Sequence, residues 1–323
     1  MNRNFLHEPE PGAPDLPADL APYADAIAAH LHQPTAWFVP VNALAKDPAQ
    51  SKIGGWPYLP VGAPNPLLDE DGEHRYNLLV QLNLGELPEP RPHFFPAQGL
   101  LQVFTMGVEE LIDEGPGAYR GVYYPAPLAG PAALVTDFLA YDLAALEGYE
   151  NVPAEGLAVR FQTLTDNRVA PGNDGGGLAY LFAHLPAAEQ ADRLAQLEDY
   201  LAAYNETVAD NGTAWPEFVA AQFPLDGDQV VFNSPVDWWG FDIPDHQVGG
   251  LLSQFWQGDP RGQLDAATQR PHHDRLLLAY DARGNCTEWA VPFLTNDAKL
   301  LFFINRDQLA RGNFSDLLFE YMA

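Results

Sequence analysis

The chain has 323 residues, 44 acidic and 16 basic, and a formal net charge of −28. A field of that sign repels phosphate backbones and anionic lipid, so nucleic-acid and membrane-surface partners are not expected, whereas a basic protein partner gains ground. Hydrophobic residues make up 47% and aromatic residues 12% of the chain, a composition that builds a core and excludes a disordered acidic tail.

Cys286 is the only cysteine, which excludes an intrachain disulfide and a cysteine-based zinc site. The first residues carry no apolar leader, and no run approaches the ~20 apolar residues of a membrane span, so a cytoplasmic location is expected.

In chain order, Leu20, Tyr23, Ala24, Ile27, Ala28 and Leu31 recur at spacings of three and four and predict a helix over Asp15 to His32. Short apolar runs bounded by Gly, Pro or Asn then predict strands at Trp37 to Val39, Leu78 to Leu82, Leu100 to Phe104, Tyr119 to Tyr124 and Leu157 to Leu164. A glycine-rich loop at Asn173 to Gly177 precedes a long helix from Ala187 to about Asp210, with Leu194, Leu197, Leu201 and Tyr204 on one stripe. A helix over Trp215 to Phe223, strands at Gln229 to Phe232, Leu276 to Tyr280 and Leu300 to Ile304, and a short helix at Asp307 to Arg311 complete the pattern.

The chain also repeats itself. Ser51-Lys52-Ile53-Gly54-Gly55 is followed, 24 positions after Gly54, by the Leu78 run and 22 positions later by the Leu100 run. His246-Gln247-Val248-Gly249-Gly250 is followed, 27 positions after Gly249, by the Leu276 run and 24 positions later by the Leu300 run. The ordered match implies internally duplicated halves sharing a core in an α+β, mostly antiparallel fold. The expected organisation is one domain over 1–323, with a helical segment at 1–35, a first β-rich repeat at 36–170, a loop and helical insertion at 171–225 and a second repeat at 226–323.

The same residues carry a family resemblance. Ser51-Lys52-Ile53-Gly54-Gly55-Trp56-Pro57-Tyr58, the Leu-Leu-x-Gln-Leu-Asn strand at Leu78, Gly99-Leu100-Leu101-Gln102-Val103-Phe104, His246-x-x-Gly249-Gly250, Gly258-Asp259-Pro260-Arg261 and the Leu300 run resemble the YwqG-like family, a bacterial domain of unknown function. The resemblance implies a cytoplasmic α+β protein and brings no reaction with it.

Eight residues are candidates for ligand binding: Lys52, Gly54, Gly55, Trp56, His246, Gly249, Gly250 and Arg261. Lys52 beside two glycines could hold an anion, with His246, Gly249 and Gly250 facing it across a pseudo-two-fold; equally, the glycine pairs could be turns that feed strands. Arg261 could fork onto an anion or pair with an acid of the chain. Trp56, Trp238, Trp239 and Trp256 fit a pocket wall or a core.

Metal signals are weak. His272 and His273 are adjacent, and neighbours on a strand point to opposite faces; Asp69-x-Asp71-Gly72-Glu73 misplaces the glycine of a calcium loop and reads as an acidic turn. No metal and no cofactor are expected. Neither a Gly-x-Ser-x-Gly elbow nor a phosphate-binding glycine loop occurs, and Cys286 reads as packing. These features together predict a non-catalytic acidic binding protein, with an immunity or neutralising role against a basic partner as one form. The alternative is a small-molecule or enzymatic pocket between the repeats around Lys52 and His246. The oligomeric state is not legible.

Overall fold

The computed structural model describes residues 14–31, 35–89, 91–92, 94–113, 115–146, 149, 152–164, 178–210, 246–249, 272–281 and 299–322. The helix expected over Trp215 to Phe223, the strand at Gln229 to Phe232, and the expected roles of Trp238, Trp239, Gly250, Trp256, Arg261 and Cys286 lie outside them.

Among the described residues, ten strands form one sheet: β1 (Thr35–Leu44), β2 (Lys52–Ile53), β3 (Asn77–Asn83), β4 (Leu100–Thr105), β5 (Tyr119–Tyr124), β6 (Leu157–Leu164), β7 (Gln247–Val248), β8 (Arg275–Asp281), β9 (Lys299–Ile304) and β10 (Leu317–Met322). Their order is β10-β9-β8-β7-β1-β6-β2-β3-β4-β5, and every pairing is antiparallel. The fold is therefore α+β with a mostly antiparallel sheet. β3 and β4 are near-continuous apolar runs rather than alternating ones because both of their faces are covered.

The strand order reads as the same five-strand unit from either end, and the registers agree in detail. Leu78 pairs with Phe104 and Val80 with Val103, which leaves Leu79 as a bulge. Leu276 pairs with Phe303 and Leu278 with Phe302, which leaves Leu277 as a bulge at the equivalent place. Each bulged residue offers its carbonyl to a glycine amide, Gly54 to Leu79 at 3.0 Å and Gly249 to Leu277 at 3.4 Å. The two glycines have φ of 65° and 66°.

The units are interlocked. β1, first in the chain, lies beside β7 of the second unit, while β6 lies beside β2 of the first. Between them β1 and β6 pair from Thr35 with Leu164 to Leu44 with Leu157. Pro40 is tolerated in this central strand because β7 pairs only with Ala36 and Trp37, and the register shifts just after Pro40. Leu78 and Val103 of the first unit, Leu278 and Phe302 of the second, and Phe38 and Leu157 of the central pair belong to one apolar cluster, so the halves share a core.

The sheet curls until its two edges touch. The Tyr119 hydroxyl on β5 donates to the Leu317 carbonyl on β10 at 3.0 Å, the Tyr119 ring meets Phe302 and Phe319, and Tyr123 meets Phe314. Gly121 is required here, since a Cβ would stand 2.8 Å from the Phe314 carbonyl.

Helices form a separate small core. The expected N-terminal helix divides into a 3-10 turn, Ala18–Tyr23, and α1 (Ala24–Leu31). Pro22 within the first turn has no N–H to give to an i−4 carbonyl. Leu20 and Ile27 pack against Phe182 and against Leu197, Leu201 and Tyr204 of the long helix Ala187–Asp210. Arg193 ties that helix to Asp19 at 2.6 Å. Among the described residues no helix is long and apolar enough to cross a membrane.

Tyr119→Phe removes the hydroxyl that joins the sheet edges and leaves the Leu317 carbonyl without that donor. The expected loss is about 1 kcal/mol of unfolding free energy in urea titrations. An unchanged midpoint would show that the edges do not depend on this bond.

Candidate functional site

β2 and the turn after it were expected to offer Lys52, Gly54, Gly55 and Trp56 to a ligand; in the structure each is bound to the chain itself. Lys52 is buried, and its ammonium donates to the Trp56 carbonyl at 2.5 Å. Burial pushes its pKa down to about 8, against the opposing pull of Glu155 and Asp47. Gly55, at φ 74°, runs so close to the 154–156 turn that a Cβ would lie 2.3 Å from the Gly156 nitrogen. The Trp56 amide donates to the Ala154 carbonyl at 2.7 Å, and its ring stacks on Phe138 at 4.9 Å and 7°. The glycines thus serve backbone contact.

Two glutamines that strand patterning left without a role hold this segment in place. Gln81 and Gln102 are fully buried; Gln81 Oε1 accepts from the Tyr58 amide at 2.9 Å and from Gln102 Nε2 at 2.8 Å. Gln81 Nε2 donates to the carbonyls of Pro48 and Gln50, and Gln102 Nε2 also donates to the Tyr58 carbonyl. A glutamine inside each of two otherwise apolar runs, Leu78 to Leu82 and Leu100 to Phe104, was the available signal. The counterparts of these two positions in the second unit, by register, are Ala279 and Leu301, so the clamp belongs to one half only.

His246 is buried, stacked between Phe38 at 5.2 Å and Tyr280 at 4.6 Å, and its carbonyl accepts from the Phe38 amide. Gly249 lies under Pro92, which a Cβ would meet at 2.4 Å. β1 and β6 stand between β7 and β2, so His246 and Lys52 are separated by three strand spacings, about 14 Å along the sheet. The structure does not bring them to one point. Asp69 to Glu73 forms the expected acidic turn: Asp69 Oδ1 accepts from the amides of Asp71 and Glu73.

The side chains that do converge are His272, His273 and Asp316. His272 Nε2 lies 2.9 Å from Asp316 Oδ2 and His273 Nε2 lies 3.0 Å from Asp316 Oδ1, with the two rings edge to face at 4.7 Å. The expectation that adjacent imidazoles diverge fails because both residues sit in the bend before β8, where strand alternation does not apply. The bend is anchored to the short helix Arg306–Ala310: Asn305 Nδ2 donates to the His272 carbonyl, and the Asn305 side-chain oxygen caps the amides of Asp307 and Gln308. Asp274 takes the Arg306 amide and guanidinium. Burial alone would raise the Asp316 carboxyl, but the hydrogen bonds from His272 and His273, the charge of His273 and the Gln308 amide outweigh it and hold the group below its usual value. Asp316 lies 43 residues from His273, a separation no local motif reveals.

The sequence profile described as "Domain of unknown function (DUF1963)" matches residues 51–322. The chain belongs to the DUF1963 family. The DUF1963 match opens at Ser51, beside β2, and closes at Met322, the end of β10, so it covers nine of the ten strands and leaves β1 outside. No curated protein matches the sequence.

Lys52 supplies a pH test. Its folded pKa of about 8 lies below the ordinary 10.5, so between these values the unfolded chain holds a proton that the folded chain has released, and stability from this group rises with pH. Against a Lys52→Met variant, the wild type should therefore gain stability as pH rises from 8 to 10.5 in paired urea titrations. A pH-independent difference would contradict a lysine whose pKa burial has lowered. Gly55→Ala should cost more than the roughly 1–2 kcal/mol of a left-handed backbone, because the new methyl also meets the Gly156 backbone; a loss below that sinks the close-approach account.

Proposed function

We propose that the protein is a non-catalytic, cytoplasmic, acidic binding protein whose partner is a basic protein, with neutralisation of a basic toxin domain as the form this best fits. The observation that carries the reading is the direction in which its cations are spent. Lys52, Arg91, Arg120, Arg193 and Arg306 donate to carbonyls or carboxylates of the chain itself. Carboxylates stay at the surface along Asp47, Glu70, Asp71, Glu73, Glu86 and Glu89 and on the outer face of the long helix at Glu189, Asp192, Glu198 and Asp199. With a net charge of −28 behind them, these groups give a field that steers and holds a cationic surface.

Within DUF1963 the motif set resembles the YwqG-like group, which supports a cytoplasmic location and supplies no activity. The alternative, a small-molecule pocket shared by Lys52 and His246, gains nothing from residues that lie three strands apart and are each engaged by their own surroundings.

The test is a pull-down from host lysate with the folded chain as bait, followed by affinity measurements on the purified captured protein. The expected result is a basic protein retained near one to one at low salt, whose affinity falls about tenfold or more between about 50 and 500 mM salt. A bait that retains no basic protein, or an affinity indifferent to salt, overturns the proposal.

A further inference from the structure

We propose that His272, His273 and Asp316 form a binding site for a divalent first-row transition cation of the zinc class. Their donor atoms all lie within 4.8 Å of one another, the one such cluster among the described residues. Four-coordinate zinc, at about 2.0–2.1 Å from its ligands, needs donors roughly 3.4 Å apart. The Asp316 oxygens stand 2.9 and 3.0 Å from the two Nε2 atoms, so opening these contacts by a few tenths of an ångström admits an ion. Binding exchanges the two imidazole–carboxylate contacts for three metal bonds; a neutral ring carries its proton on Nδ1 when Nε2 ligates, and a protonated ring releases one proton to solvent.

The internal repeat shows that the fold itself does not need this cluster. By register, Leu276 corresponds to Leu78 and Leu317 to Tyr119. Counting back from them places His74, Arg75 and Ala118 where the second unit has His272, His273 and Asp316. The first unit closes the same sheet with a single imidazole, a cation and no carboxylate. His272 and Asp316 are also about two-fifths exposed, and a hydrogen-bonded pair that open to water adds little stability.

The surroundings are those of a ligand set. Gln308 Nε2 donates to Asp316 at 3.1 Å, which orients the carboxylate, and Asn305 holds the backbone of His272. Gln308 Oε1 is buried and finds no hydrogen-bond partner among the described residues, an acceptor that a metal-bound water would satisfy. The nearby Arg306 guanidinium is spent on Asp274 and on the Phe94 ring, and the net charge of −28 concentrates cations around the molecule. Two imidazoles and one carboxylate select zinc, cobalt or nickel over the all-oxygen preference of calcium and magnesium, and three protein ligands leave coordination positions open.

The test uses the full chain stripped with chelator and titrated with Co²⁺, followed by visible absorbance, then with Zn²⁺ as competitor. One equivalent is expected to saturate the cobalt bands, Zn²⁺ to displace it, and a tenfold excess of Mg²⁺ or Ca²⁺ to leave it in place. His273→Ala and Asp316→Asn should each weaken binding about 100-fold or more, while His74→Ala, at the corresponding position of the first unit, should leave it unchanged. Should either cluster variant fail to fold, the wild-type imidazole NMR signals decide: one equivalent of Zn²⁺ should move those of two of the nine histidines. Absence of saturable binding, binding that survives both substitutions, or binding to carboxylates that moves no imidazole signal overturns the site.

Discussion

The crossing of β1 into the second unit is the constraint on which the rest of the structure depends. β1 leaves the first unit to pair with β7, β6 pairs with β2, and the two then pair with each other along their length. The first unit, β2 to β6, is contiguous in the chain, whereas the second completes its five strands only with β1 from the N-terminal side. The shared apolar cluster follows from this, since side chains of both units and of the central pair fill one interior. Contact between β5 and β10 adds a second join at the far edges of the same sheet.

The two copies diverge in complementary ways. In the first unit the buried pair Gln81 and Gln102 clamps the segment from Pro48 to Tyr58, and the second unit has Ala279 and Leu301 in the corresponding places. Around β8 and β10 the second unit has His272, His273 and Asp316, and the first has His74, Arg75 and Ala118. Positions that agree, such as Gly54 and Gly249 against the bulged Leu79 and Leu277, report the demands of the fold. Positions that differ are free of those demands, and the polar cluster of the second unit is one of them. The net charge of −28 is a separate property of the whole chain and does not depend on either copy.

Much of the fold was legible because hydrophobic periodicity survives in long elements. The strand at Tyr119 to Tyr124 and the helix from Ala187 to Asp210 match their predicted bounds, and the repeat of glycine turn and Leu-rich strand identified the two units. β2 and β7, two residues each, are too short to show a period, and β10 was missed although its partner β9 was found. The candidate site was less legible. Lys52, Gly55 and Trp56 were marked for chemistry by type and spacing, but burial and close backbone approach commit them to the turn. The converging imidazoles depended on a bend that breaks strand alternation and on an aspartate brought in by β10, and neither is a local property of sequence.

Because the interlock is the central claim, its most direct test is native-state hydrogen exchange with increasing denaturant. The account predicts that the slowest amides of β3 and β4 and those of β8 and β9 exchange through one opening, with the same free energy and denaturant dependence as global unfolding. Amides of one half that exchange by their own opening at lower free energy, while the other half stays protected, would contradict it.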